Sequence, residues 1–243
     1  MNRSSRVFLT AEWRHLAMFN YVVDPDLLAP FVPAGTEIDF FGSRTFVSLV
    51  GFRFVDTRLF GMPIPFHRDF DEVNLRFYVR RRERTEWRRG VVFIKELVPR
   101  RAVATVARVL YNENYVTCPM RSVIAIPEGP EGRGSVEYAW QFAGEHRMRT
   151  AIRGLPTRAT PGSIEEFIIE HYWGYVVQRD RSARQYRVEH PPWRVWPAES
   201  VRFDGDPTLC YGPEFGAILK GAPDSALVAE GSPISVRFGE PVS

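Results

Sequence analysis

Lysine is nearly absent from this 243-residue chain: of 32 basic residues only Lys95 and Lys220 are lysine, and the rest are arginine. Imine chemistry needs a lysine amine that burial or a neighbouring cation makes nucleophilic, so only two positions could supply one. Lys220 lies in the turn-forming LKGAPDS, where water reaches it, and Lys95 sits in a strand pattern next to Glu96, hence on the opposite face from it. Cysteine is equally scarce. Cys118 and Cys210 are far apart and lack metal-type spacing, which fits free thiols in a reducing compartment. The histidines number five; His171 and His190 each follow a glutamate, but with His15 and His67 they are scattered as chance scatters them, and no metal site is expected. No window approaches ~20 consecutive apolar residues, and MNRSSRVFLTAEWRHL has no apolar h-region, so neither a membrane span nor a signal peptide is expected and the localisation reads as cytoplasmic.

Other absences exclude whole classes. There is no GxSxG elbow, HExxH, paired CxxC, EF-hand loop, Walker lysine or strand-GxGxxG-helix order. Serine hydrolase, zincin, zinc-ribbon, calcium and nucleotide-loop readings therefore fall, and no cofactor is called for. Excess charge is missing too: 32 bases against 29 acids give a formal +3, so neither nucleic acid nor an anionic membrane is expected as partner. The arginine run RRRERTEWRR reads as a solvated hairpin tip that discourages edge pairing.

What is present is an apolar chain, 44% hydrophobic and 14% aromatic, with no low-complexity linker or internal repeat; residues 1–243 read as a single domain. Strand patterns dominate. They cover Ala11 to Val23, a hairpin from Glu37–Phe41 to Arg44–Phe54 around Gly42-Ser43, the pair Glu72–Arg82 and Trp87–Val98, then Tyr115–Thr117, Arg121–Ile126, Ser135–Phe142, Arg147–Ile152, Arg184–Glu189, Trp193–Phe203 and Ser225–Phe238. Helices are few: Asp24-Pro25 caps a short one through Leu28, Pro99 to Leu110 reads as another, Ser163-Ile-Glu-Glu166 is a capping box opening one from Ile164 to Tyr172, and a last one lies near Glu214 to Leu219.

The stretch that draws chemistry together is HRDFDEVNLRFYV, the hairpin, and GVVFIKELVPRRAV. It sets Glu72 and Glu96 on neighbouring apolar strands, where a carboxylate is either paired or working. Arg100 and Arg101 come directly after, placed to hold an anion near a helix N-terminus. A carboxylate pair with guanidinium groups can bind a carboxylate or enolate and move a proton through a glutamate. The alternative is a buried ion-pair network of Glu72, Glu96 and Arg100 that only holds the strand to the helix after it.

Segments spread along the chain resemble the YqjF-like family, a bacterial family of unknown function in the acetoacetate-decarboxylase-like superfamily: LTAEWRHLAMFNYVVDPDLLAPFVPAGTEID, FVSLVGFRF, DEVNLRFYV, GVVFIKELVPRRAV, EHYWGY, YRVEHPPWRVW and VAEGSPISV. The resemblance implies a mainly β fold, a strongly curved, mostly antiparallel β-barrel or cone with a few peripheral helices around a ligand cavity, and it makes a homo-oligomer conceivable. In acetoacetate decarboxylases a Glu…Pro-Lys-Lys segment carries the Schiff-base lysine. The similar stretch here runs Glu96-Leu97-Val98-Pro99-Arg100-Arg101, and arginine cannot form the imine. The expected partner is then a small organic acid or keto compound, met by Glu72 and Glu96 as acid/base residues and by Arg100, Arg101 and Lys95 as binding residues, without Schiff-base decarboxylation. Such a pocket serves either binding alone or acid/base chemistry, and in the second case the enzyme would be of lyase, isomerase or hydrolase type.

Overall fold

A computed structural model describes residues 6–63, 68–99 and 115–242. Three long strands form its centre: β1 (Val7–Val23), β3 (Thr45–Leu59) and β5 (Phe70–Glu83), each pairing antiparallel with the next. Runs such as TFVSLVGF lack clean alternation because both faces of these strands are covered, so the solvent side of an ordinary half-exposed strand does not exist here. β16 (Ser225–Arg237) pairs on the outer side of β1, and β6 (Glu86–Val98) on the far side of β5 through the expected hairpin.

From β6 the sheet continues through β12 (Trp173–Val177), joined in parallel, to β13 (Ala183–Glu189), which pairs back onto β16. The path therefore closes through seven strands. They are not set evenly round an axis, and this irregular ring stands where a barrel or cone was expected. The pairing is irregular to match: the β6–β12 and β13–β16 joins hold two residue pairs each, and β1 shifts register twice against β3, once between Thr10 and Glu12 and once between Arg14 and Ala17, where His15 has φ +56°. The remaining short strands of this sheet are β2 (Glu37–Ile38), β4 (Met62–Pro63), β7 (Tyr115–Thr117), β11 (Thr157–Arg158), β14 (Arg194–Pro197) and β17 (Glu240–Pro241). A second sheet runs β15 (Ser200–Asp204), β10 (Glu145–Arg153), β9 (Arg133–Gln141), β8 (Met120–Ala125).

Helix α1 (Pro25–Leu28) starts where expected, with the Asp24 carboxylate accepting from the Asp26 N–H, and a 3₁₀ turn carries it to Phe31. Helix α2 (Ile164–Ile169) has the expected Ser163 cap but is shorter than its pattern. Glu170 leaves helical geometry, and the residues after it pair as β12 instead, a tertiary contact outweighing local preference. Helix α3 (Pro207–Leu219) is longer than expected and is broken at Gly212 (φ +80°) before Pro213.

Two further expectations are corrected. Glu37–Phe41 and Arg44–Phe54 meet only through the Phe41–Arg44 bridge, and β2 pairs with β5 because its backbone finds a free edge there. Trp193–Phe203 divides after Pro197 into β14, which pairs with β16, and β15, which pairs with β10 in the other sheet. The helix expected over Pro99 to Leu110 lies outside the described residues apart from Pro99.

Strand alternation sends β5 side chains into two different cores. Val73, Leu75, Phe77 and Val79 pack in a cluster with Tyr138, Trp140 and Met148 of the second sheet and Phe215 of α3. Phe70 and Tyr78 join the other cluster, with Leu16 and Met18 of β1, Val50 and Phe52 of β3, and Phe167, Ile168 and Ile169 of α2. Three residues share that second face of β5 without being apolar: Glu72, Asn74 and Arg76.

Candidate functional site

Register fixes what faces what. Glu72 lies opposite Phe52 of β3; Asn74 lies between Val50 of β3 and Glu96 of β6; Glu96 in turn lies beside Tyr115 of β7. Directly paired residues share a face, so Glu72 and Glu96 both fall on one side of β5 and β6, with Asn74 opposite Glu96. Both are withdrawn from water, Glu72 at 2% exposure and Glu96 at 1%. The Asn74 amide donates to Glu72 Oε1 at 3.0 Å and the Tyr115 hydroxyl donates to Oε2 at 3.3 Å.

Farther along the same face lies Arg76, 8% exposed. Its Nη2 donates to the Ile168 carbonyl at 3.4 Å and touches Met18 Sδ at 3.9 Å, and the guanidinium lies 5.7 Å from the centre of the Tyr78 ring. Beyond it a polar chain begins. The Tyr78 and Ser48 hydroxyls are 2.6 Å apart, Ser48 donates to Asn20 Oδ1 at 2.6 Å, and Asn20 Nδ2 donates to the Ser225 hydroxyl at 3.1 Å. The His171 ring packs on Tyr78 with centroids 4.6 Å apart, and its Nε2 is 3.7 Å from Asp39 Oδ2, which also accepts from Arg89 Nε at 2.6 Å. Burial pushes His171 down to about 4, so the ring is neutral at pH 7. Burial works to raise the Asp39 carboxyl, but the contacts with His171 and Arg89 outweigh it and hold the group below its ordinary value.

Lys95 is not part of this face. It pairs with Leu75, its ammonium reaches the Cys210 backbone carbonyl, and it lies 5.0 Å from the Phe142 ring, in the cluster with the second sheet. The structure thus sets it apart from Glu72 and Glu96, as its position next to Glu96 requires. Lys220 is exposed and pairs with Asp206 at 3.0 Å. Arg100 and Arg101 lie outside the described residues. Cys118 and Cys210 are free, buried thiols. Among the described residues no three His, Cys, Asp or Glu side chains converge as a metal site, and none of the helices is long and apolar enough to cross a membrane.

Sequence reasoning misses Asn74, Arg76, Tyr78, Tyr115 and the His171–Asp39 contact. The signal for the first three is present in the alternation of DEVNLRFYV; it reads as the outward side of a strand because nothing local tells that α2 covers it.

This architecture is that of the acetoacetate-decarboxylase-like proteins. The fold superposes on acetoacetate decarboxylase from Legionella pneumophila with a TM-score of 0.69 at 13% identity, covering 100% of this chain and 90% of that one. It also matches the enduracididine biosynthesis enzyme MppR complexed with pyruvate, with a TM-score of 0.62 at 14% identity over 98% of this chain and 91% of that one. Residues 10–233 match DUF2071, described as an uncharacterised conserved protein, and the chain belongs to that family. It is 26% identical over 193 residues to the uncharacterised protein YqjF of Bacillus subtilis, covering 77% of this chain and 75% of YqjF.

Proposed function

We propose that the shared face of β5 and β6 is a pocket for a small organic acid or keto compound, used for proton transfer by Glu72 and Glu96 or for binding alone. The observation that carries this reading is the burial of two glutamates on one face of β5 and β6, Glu72 and Glu96, with Asn74 between them. Buried titratable groups gathered on one face are common where a protein binds or reacts. The MppR neighbour, complexed with pyruvate, supports the size and charge of the ligand. Proton transfer here means removal of a proton from the carbon beside a carbonyl by one ionised glutamate, the C–H electron pair passing into an enolate, and return of a proton to the enolate from the same or the other carboxyl, so that charge and atoms balance within the pocket.

Schiff-base decarboxylation is not part of the proposal. Lys95 lies on the other face, and the stretch similar to the decarboxylase Pro-Lys-Lys carries Arg100 and Arg101, which cannot form the imine. The competing reading, a purely structural network, is favoured by the hydrogen bonds from Asn74 and Tyr115 that already serve Glu72.

A thermal-shift screen of the wild type, Glu72→Gln and Glu96→Gln against small carboxylic and keto acids separates the two, since a ligand of the folded state raises Tm by mass action. A pocket predicts hits that both variants lose or weaken. A structural network predicts no hit and two variants destabilised alike.

A further inference from the structure

Arg76 is a guanidinium placed in an apolar cluster with no counter-charge: among the described residues it forms no ion pair, its Nε has no acceptor, and its two hydrogen-bond contacts, a carbonyl at 3.4 Å and a thioether at 3.9 Å, both come from one nitrogen, with the Tyr78 ring centre 5.7 Å from the guanidinium. A guanidinium carries five N–H donors in a fork that matches a carboxylate. Most other buried or half-buried arginines of this protein have a carboxylate: Arg81 has Glu83 and Arg89 has Asp39. Desolvating a permanent cation without a partner is strongly unfavourable, and arginine cannot escape by losing its proton. The position is therefore poor as structure and suited to receiving an anion. Its neighbours agree: Tyr78 and a neutral His171 line the same end of the face, while Glu72 and Glu96 hold the other end, four residues away along β5 or about 13 Å between Cα atoms at 3.3 Å per residue.

We propose that Arg76 is the residue that takes the carboxylate of the ligand, giving the pocket its preference for acids over neutral keto compounds. The proposal rests on the pocket reading above. It assigns the two ends of the ligand: the carboxylate group goes toward Arg76 and α2, and the reactive end toward Glu72 and Glu96.

The test uses Arg76→Met, which keeps an unbranched apolar stem and removes the charge. Calorimetric titration with pyruvate and with its neutral methyl ester is run on both proteins, and melting is followed in sodium acetate and sodium chloride at matched ionic strength. The proposal predicts that Arg76→Met weakens pyruvate binding at least about tenfold and leaves the ester unchanged, as loss of one charge-assisted contact should. It also predicts that the free variant melts at or above the wild type, and that acetate stabilises the wild type alone. Equal pyruvate affinity in the two proteins overturns the proposal and leaves the pocket standing, with the carboxylate bound elsewhere. If neither compound binds either protein, the pocket reading falls. Melting then decides on Arg76: a variant several degrees below the wild type, with no acetate effect in either, makes the arginine structural.

Discussion

His171 should make this protein sensitive to mild acid. Its ring is fully withdrawn from water against Tyr78 and Phe167, and burial brings its pKa from the ordinary 6.5 to about 4. Between those values the unfolded chain holds a proton at this position and the folded chain does not. Stability contributed by the neutral ring is thus present in full above pH 6.5, is lost progressively as pH falls, and stops falling below about pH 4, where both states are protonated. The full span is worth about 3 kcal/mol at about 1.4 kcal/mol per tenfold, and most of it is gone by pH 4.5. His15 and His190 are also lowered by burial and act in the same direction, whereas Asp71, raised by burial, acts in the opposite one. The measurement is therefore a difference: urea unfolding of the wild type and of His171→Gln at pH 7 and pH 4.5. The wild type should lose about 2 kcal/mol more than the variant over that interval. Parallel losses in the two proteins would refute the assignment of a buried neutral imidazole.

Two predictions concern the core. Gly231 lies opposite Arg14 with φ at +82°, and a Cβ there would stand 1.9 Å from the Trp13 carbonyl oxygen, so Gly231→Ala should cost more than about 2 kcal/mol in urea unfolding. Burial pushes the Cys118 thiol up to about 12 and raises Cys210 as well, so both should resist a disulfide-exchange reagent at pH 8 in the native protein and react together once it is unfolded.

Local signals carry much of this fold. Asp24-Pro25 and Ser163 begin helices where capping chemistry says they must, and the Glu72–Arg82 and Trp87–Val98 patterns become a hairpin nearly to the residue. What local signals miss is decided at a distance. The residues after Glu170 end α2 because β6 and β13 offer them backbone partners, and Trp193–Phe203 splits because its halves pair with different sheets. The site is half legible for the same reason. Two glutamates interrupting apolar patterns stand out in any sequence, but an arginine at the position of Arg76 looks like an ordinary polar face until α2 is seen to cover it. Lys95 shows the reverse: the two-residue period alone places it on the other face from Glu96, where the Cys210 carbonyl holds it.

The most direct measurement is a crystal structure of the protein grown with the tightest-binding acid from the screen. The expected result is ligand density along the Glu72–Asn74–Arg76 face, with a carboxylate on the Arg76 guanidinium and a carbon beside the carbonyl within about 3.5 Å of a Glu72 or Glu96 oxygen. Ligand bound on the Lys95 side, or only at the surface with this face closed and unchanged, would contradict the pocket and its polarity.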